Sequence, residues 1–273
     1  MVKFDMHCHT KEGSLDGKVE IGVYIRRLQK QGFSGMLVTD HNSYDGYRHW
    51  KYELKHHKDF ENFVVLKGIE YDTIDCGHIL VVMPPDVKLR ILELRGLPVK
   101  LLIYFVHKYG GILGPAHPFG ERYLSIVPTQ MRKRRRKEQL DTLVQQFDFI
   151  EAFNACETKE NNQQALNMAM HFHKPGFGGS DSHRLDCIGK AYTLVPDSVK
   201  NEADLIEYVT HTESTECGGT LYNGTTKKKI GVLNGVLVQG FYIYNFIGRW
   251  YRSISRHIEL KHLKNSKYID IKR

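Results

Sequence analysis

The chain has no cysteine pair of the CxxC kind. Its five cysteines, Cys8, Cys76, Cys156, Cys187 and Cys217, form an odd and scattered set, which argues against a disulfide framework. No apolar leader separates Met1 from the first strand-like segment, and together with the cysteines this leads one to expect a reducing cytoplasm. No G-x-G-x-x-G turn follows that strand, so a dinucleotide-binding open sheet is disfavoured. Repeats of fixed period and low-complexity segments are also missing. Long uncharged runs are scarce. The one candidate, Ile230 to Gly248, contains four glycines together with Asn234, Gln239 and Asn245, too polar for a good membrane span.

The charge is unevenly placed. From Thr225 to Arg273 there are eleven Lys and Arg against two acids, a local charge of +9, which leaves the rest of the chain near −1 out of a total of +8. Basicity therefore belongs to the tail. This divides the chain at about residue 224 into a body, 1–224, and a basic, partly apolar extension, 225–273. The extension reads as a helix packed on the body, with an interfacial membrane helix as the alternative. A second basic run, Arg132 to Lys137, reads as a solvated segment.

Within the body, apolar runs and helical periodicities alternate. Strands are expected at Val2–Met6, Gly35–Thr39, Phe63–Ile69, Ile79–Met83, Gly111–Gly114, Phe149–Phe153, near Phe177, and at Ala191–Val195. Helices are expected over Gly22–Gly32, Val99–Tyr109, Lys137–Gln146 and Glu160–Phe172. This order predicts an α/β fold with a mainly parallel sheet, closed or nearly closed as a barrel.

The chemistry-bearing residues fall at the ends of those strands. His7 and His9 are two apart on the first strand, so they share a face while Cys8 turns away. Thr39-Asp40-His41-Asn42 ends the second strand and Gly68-Ile69-Glu70-Tyr71 the third. His78, Gly114-Pro115-Ala116-His117-Pro118 and Gly179-Ser180-Asp181-Ser182-His183 follow. Histidines and carboxylates at the carboxyl ends of successive strands are what a barrel needs to gather metal ligands at its mouth. Imidazole and carboxylate donors without thiolate suit Mn, Zn or Fe. With Asp16, nine candidate ligands (His7, His9, Asp16, His41, Glu70, His78, His117, Asp181 and His183) would serve two or three divalent ions. Lys11, Arg122 and Arg184 flank these motifs and are the candidates for clamping phosphate. Asp40 is the candidate for orienting an imidazole from behind, and Asn154 a candidate for lining the mouth.

The stretches DMHCHT, SLDG, TDHN, GIEYD, GPAHP and GSDSH resemble the ordered motifs of the PHP (polymerase and histidinol phosphatase) metal-dependent phosphoesterases, over a span from Val2 to about Val195. The resemblance implies a distorted seven-stranded (β/α)7 barrel with a di- or trinuclear centre. It implies that His7, His9, Glu70 and Asp181 hold one ion, that Asp16 and His41 share Glu70 at a second, and that His78, His117 and His183 surround a third, with Glu70, Asp181 and His183 at the reacting centre. The expected activity is hydrolysis of a small phosphorylated metabolite, a nucleotide or an oligonucleotide end. Two other readings are an amide or carbamate hydrolase, and a module whose basic tail binds nucleic acid or touches a membrane peripherally.

Overall fold

The protein is described by a computed structural model over residues 1–120, 124–132 and 137–222. The basic extension and Arg122 lie outside these residues, as does most of the Arg132 to Lys137 run. The elements are β1 Val2–Cys8, α1 Ile21–Gln29, β2 Gly35–Val38, α2 Asp45–His49, β3 Val64–Asp72, β4 His78–Val82, α3 Val99–Lys108 and β5 Ile112–Pro115. Then follow α4 Ile126–Arg132, α5 Lys137–Val144, β6 Ile150–Asn154, α6 Lys159–His171, β7 Gly176–Gly179, β8 Ala191–Val195, α7 Glu202–Thr210 and β9 Cys217–Gly219.

Seven strands form one curled sheet in the order β5-β4-β3-β2-β1-β8-β9, and β6 pairs with β7. The β6–β7 pair fills the gap in the curl. Beside β5, Asp148 N donates to Leu113 O at 2.9 Å, and beside β1, Asp181 N donates to His7 O at 2.8 Å. The result is the half-barrel form of the expected α/β barrel. The expectation of a mainly parallel sheet is corrected. β1–β2, β2–β3 and β6–β7 are parallel, whereas β3–β4, β4–β5, β1–β8 and β8–β9 are antiparallel. For β3–β4 the reason is connection length: only 73–77 separates the two strands, and a parallel return needs a crossover of roughly a dozen residues.

Alternation along the strands divides the core. Leu80 and Val82 of β4 join Phe4, Met6, Leu37, Leu66, Ile112 and Phe177 in one cluster, while Ile79 and Val81 join the helices α3 and α5 in another. Phe149 and Phe177 stack at 4.0 Å between centroids. Each such fully buried side chain contributes roughly 1.5–3 kcal/mol. Because apolar side chains from the strands fill the inside, polar groups can converge only at the mouth. Helix α7 was not anticipated from apolar periodicity. Its start is fixed by a capping box, in which Asn201 accepts from the backbone of Asp204 and the Asp204 carboxylate accepts from the backbone of Asn201.

The β3–β4 turn is cramped. Gly77 has φ +76°, and a Cβ there would lie 2.6 Å from the backbone of Leu124, whose carbonyl accepts from His78 N at 2.8 Å. Gly77→Ala is expected to lower unfolding free energy by about 1–3 kcal/mol, the usual cost of a left-handed side-chain-bearing residue. Urea denaturation measures this, and an unchanged midpoint would show that the turn relaxes freely.

Candidate metal centre

The site begins where β1 leaves the sheet. Its register against β2 shifts between Asp5 and Cys8, and the rings of His7 and His9 converge until their Nε2 atoms stand 3.0 Å apart. Cys8 turns to the opposite side, among the residues that pack on α1. Each ring is held from behind. His7 Nδ1 meets Glu151 Oε1 at 2.8 Å. His9 Nδ1 meets Ser14 Oγ at 3.1 Å, and that hydroxyl donates to Asp40 Oδ1 at 3.0 Å. Since Ser14 gives its proton to Asp40, it must accept from His9 Nδ1–H, which leaves the lone pair on Nε2 facing the site. Asp40 therefore orients His9 through Ser14 and also accepts from the backbone and hydroxyl of Thr10.

Glu70 lies at the centre. Its Oε2 is 3.1 Å from His41 Nδ1, 3.2 Å from His9 Nε2 and 3.4 Å from His7 Nε2. Its Oε1 is 2.8 Å from His78 Nδ1 and 3.1 Å from His117 Nε2. Asp181 Oδ1 approaches His9 Nε2 at 3.3 Å and His7 Nε2 at 3.7 Å. On the open side, Asp16 Oδ2 lies 3.3 Å from His183 Nε2 and 3.7 Å from His41 Nε2. All nine ligands expected from the sequence are thus brought into one cluster.

Sequence reasoning missed two acids. Asp72 Oδ1 lies 3.3 Å from His78 Nε2 and 3.6 Å from His41 Nδ1, and its other oxygen meets Arg95 at 3.1 Å. Its signal was available: Glu70 and Asp72 are two apart on β3, the same spacing as His7 and His9. Glu151, buried at the base of the site, supports His7 and accepts from His117 N. An acid inside the apolar strand β6 was its signal. Asn154 donates to Glu151 Oε2 at 3.1 Å and to Asp181 Oδ2 at 3.3 Å, so it steadies the mouth. The two described phosphate-clamp candidates are engaged elsewhere. Lys11 is exposed and pairs with Glu20 at 2.8 Å, and Arg184 is exposed and forks onto Asp186 at 3.0 and 2.6 Å. Residues beside a ligand in sequence need not face it, and each found a nearer acid.

The donor set fits metal ions. Four groups each bring three ligand atoms within 4.8 Å of one another: His7, His9, Asp181; His9, His41, His183; His41, Asp72, His78; and Glu70, His78, His117. Donor atoms about 3 Å apart suit ions roughly 2 Å from each. Several buried atoms of the cluster have no hydrogen-bond partner, namely Glu70 Oε2, Asp72 Oδ1, Asp16 Oδ1 and His183 Nε2. Such atoms are rare unless something else completes them. Two ligands, Asp181 at φ 49° and His117 at φ 30°, sit in left-handed backbone, a strained geometry that clusters at functional sites.

Electrostatics give the same picture. Burial pushes Glu70 up, but His78, His41 and His7 outweigh it and hold the carboxylate well below its ordinary range. Asp181 is likewise held down against burial by His7, His9 and His183. Burial pulls His41 down, but Glu70, Asp16 and Asp72 raise it to about 10. His183 is raised in the same way, with Asp16 overcoming burial. His41 therefore carries a proton at pH 7 when no ion is present, and coordination requires it neutral. Metal uptake at pH 7 is expected to release protons, and affinity to weaken as pH falls. Calorimetry in buffers of different ionisation enthalpy reads this directly, and identical heats would count against it. Glu151→Gln is expected to weaken metal affinity about 10–100-fold with the fold retained, as for other groups that orient a ligand. A metal titration showing unchanged affinity would mean that His7 is oriented otherwise.

The comparisons with known proteins agree with this geometry. The family model of the PHP domain matches residues 5–173, and that of the PHP-associated domain matches residues 159–213. No curated protein matches the chain. Among solved structures, PsfC from Pseudomonas syringae is similar with TM-score 0.57 at 17% identity, covering 89% of this chain and 97% of that one. A protein of Bifidobacterium adolescentis assigned as a metal-dependent phosphoesterase is similar with TM-score 0.51 at 17% identity, covering 77% and 96%. Endonuclease Q, bound to a 27-mer duplex substrate with an abasic lesion at the active site, is similar with TM-score 0.52 at 13% identity, covering 76% of this chain and 56% of that one. These likenesses concern the fold, and together with the domain match they establish that the chain belongs to the PHP domain family.

Proposed function

We propose that this protein is a metal-dependent phosphoesterase that hydrolyses a small phosphorylated metabolite, a nucleotide or an oligonucleotide end, using two or three divalent ions, Mn, Zn or Fe. The observation that carries the reading is Glu70 Oε2. It is a buried carboxylate oxygen without a hydrogen bond, ringed at 3.1–3.4 Å by imidazole nitrogens from the first and second motifs. A shared cation would satisfy all of these donors together. When bound, divalent ions lower the pKa of water towards neutrality and offset the charge that builds on phosphoryl oxygens.

The chain's own residues would divide the remaining work. His7, His9, Asp181 and Glu70 would hold one ion, and Asp16 and His41 a second. His78 and His117 would hold a third with Asp72, an assignment the His41, Asp72, His78 group supports. His183, partly exposed beside Asp16, would stand at the open side, where a proton can pass between the reacting oxygen and solvent. Asn154 would fix Asp181, and His78, His41 and Arg95 together would hold Asp72 ionised against burial. Endonuclease Q acts on DNA, and the similar fold favours the nucleotide or oligonucleotide end among the substrates named. Five cysteines, none of them disulfide-bonded, suit work in a reducing compartment, which we propose to be the cytoplasm. No helix among the described residues is long and apolar enough to cross a membrane.

Elemental analysis of the purified protein is expected to give two or three divalent ions per chain, and manganese is expected to stimulate release of phosphate or p-nitrophenol from generic mono- and diesters. His9→Ala combined with Asp181→Ala is expected to reduce turnover at least 10³-fold, in the range lost when a metal site is dismantled, with an unchanged circular dichroism spectrum. Unchanged turnover would remove the assigned centre, and bound metal without ester hydrolysis would redirect the search to carbonyl substrates.

A further inference from the structure

Outside the barrel wall there is a second concave site. A cavity of about 250 Å³ opens between α2 with its continuation and the segment 85–93. Its floor is Lys67 of β3. That residue is three positions before Glu70, so it projects to the opposite, outer face of the strand. The Lys67 ammonium donates to the carbonyls of Pro84 at 3.2 Å and Pro85 at 3.0 Å, tying the far wall to the barrel. Arg48 closes one end by forking onto Glu93 at 2.6 and 2.7 Å. The cavity is therefore braced from both walls.

Its rim carries three exposed bases. Lys51, Lys88 and Arg90 are exposed, and among the described residues none of them forms an ion pair. Glu93, the carboxylate of the lining, is already occupied by Arg48. Tyr47 and Tyr52 stand among these cations, and Tyr52 is 69% exposed. The chain places them there through an uncommon device: α2 runs into a π-helical turn, Trp50–Leu54, a geometry found frequently at functional sites. Of the acids nearby, Glu202 is engaged by the backbone N–H of Lys67 at 2.6 Å, and Asp86 lies on the far wall near Lys67. Unpaired cations around a cavity with an exposed ring suit a phosphate attached to a planar base.

We propose that this cavity binds a phosphorylated nucleoside, with Lys51, Lys88 and Arg90 around its phosphate and Tyr52 against its base. That nucleoside is either a free nucleotide or one unit of a single strand. α2 leaves the second ligand motif four residues after His41, and any hydrolysis of a strand held here would take place at the metal centre that this motif serves. The inference rests on the phosphoesterase reading only for that purpose; binding itself does not require turnover.

The test is therefore made on the full chain in chelator, without hydrolysis. Fluorescence anisotropy measures a labelled deoxythymidine 12-mer, and calorimetry measures deoxythymidine 5′-monophosphate, each with wild type, the K51E/R90E double variant and Tyr52→Ala. The double variant is expected to weaken binding at least 10-fold and to reduce the salt slope of log K by about 1.4 for the 12-mer, at about 0.7 per phosphate contact on a single strand. The basic tail contributes equally to all three proteins and cancels. Loss for both probes identifies a free-nucleotide site, and loss for the 12-mer alone a strand site. Hydrolysis of p-nitrophenyl phosphate with metal restored is expected to be unchanged in both variants. Equal affinity of wild type and both variants for each probe, or no binding by wild type, would overturn the proposal. Tyr52→Ala, with no charge altered, is expected to weaken binding about 5–100-fold, as stacking contributes roughly 1–3 kcal/mol per base.

Discussion

A buried carboxylate surrounded by imidazoles is the constraint on which this structure turns. Glu70 is 1% exposed and touches His7, His9, His41, His78 and His117. An isolated ionised carboxylate in such a place would be prohibitively expensive. It is tolerable because positive charge, as protons on the rings or as metal ions, is held beside it. Removing a protonated ring such as His41 leaves charge uncompensated in a low-dielectric site, where breaking a pair is more costly than never having built it. The ligands therefore form a single electrostatic unit rather than nine separate contributions.

The barrel exists in the form it does to deliver those groups to one point. β1, β2 and β3 run parallel and end together, bringing the first three motifs side by side. The short return to β4 places His78 across from Asp72 in register, close enough for both to face His41. The last motif is brought to the first by backbone bonds: Ser180 N donates to Asp5 Oδ1 at 2.8 Å, and Asp181 N to His7 O. Left-handed backbone at Asp181 and His117 costs on the order of 1–3 kcal/mol each. The close-packed cluster beneath, with Phe4, Phe149 and Phe177 fully buried, supplies the stability that lets the strain persist.

Much of this was legible in the sequence, and the exceptions share a cause. The ligand histidines could be read because H-x-H, D-H and P-A-H-P sit at the ends of apolar runs, and a run's end is a local signal. Asp72 and Glu151 were harder, since their role depends on which strand lies opposite. The antiparallel return from β3 to β4 was hidden in the brevity of 73–77, a length rather than a residue type. Lys11 and Arg184 look like clamps because they adjoin ligands in the chain. In space each is captured by an acid a few residues or one short loop away, Glu20 and Asp186. The lateral cavity was not legible at all: it joins Lys51 and Tyr52 to Lys88 and Arg90 across more than thirty residues of intervening chain.

The same electrostatics explain how such a site can fold before it is loaded. With Glu70, Asp72, Asp181 and Asp16 all held below their ordinary range, the carboxylates stay ionised even when no metal neutralises them. The compensating charge is then borne by rings that the acids raise, His7 and His41 foremost, with His183 raised in the same direction. Protons and metal ions are thus alternative occupants of one charge balance. His9 is the exception: burial and the neighbouring His183 and His41 lower it, so it remains neutral with its Nε2 lone pair already directed inward by Ser14. A ring that needs no deprotonation and no reorientation is the natural first ligand. An ion held there would favour the neutral form of the neighbouring imidazoles, since both draw on the charge of Glu70.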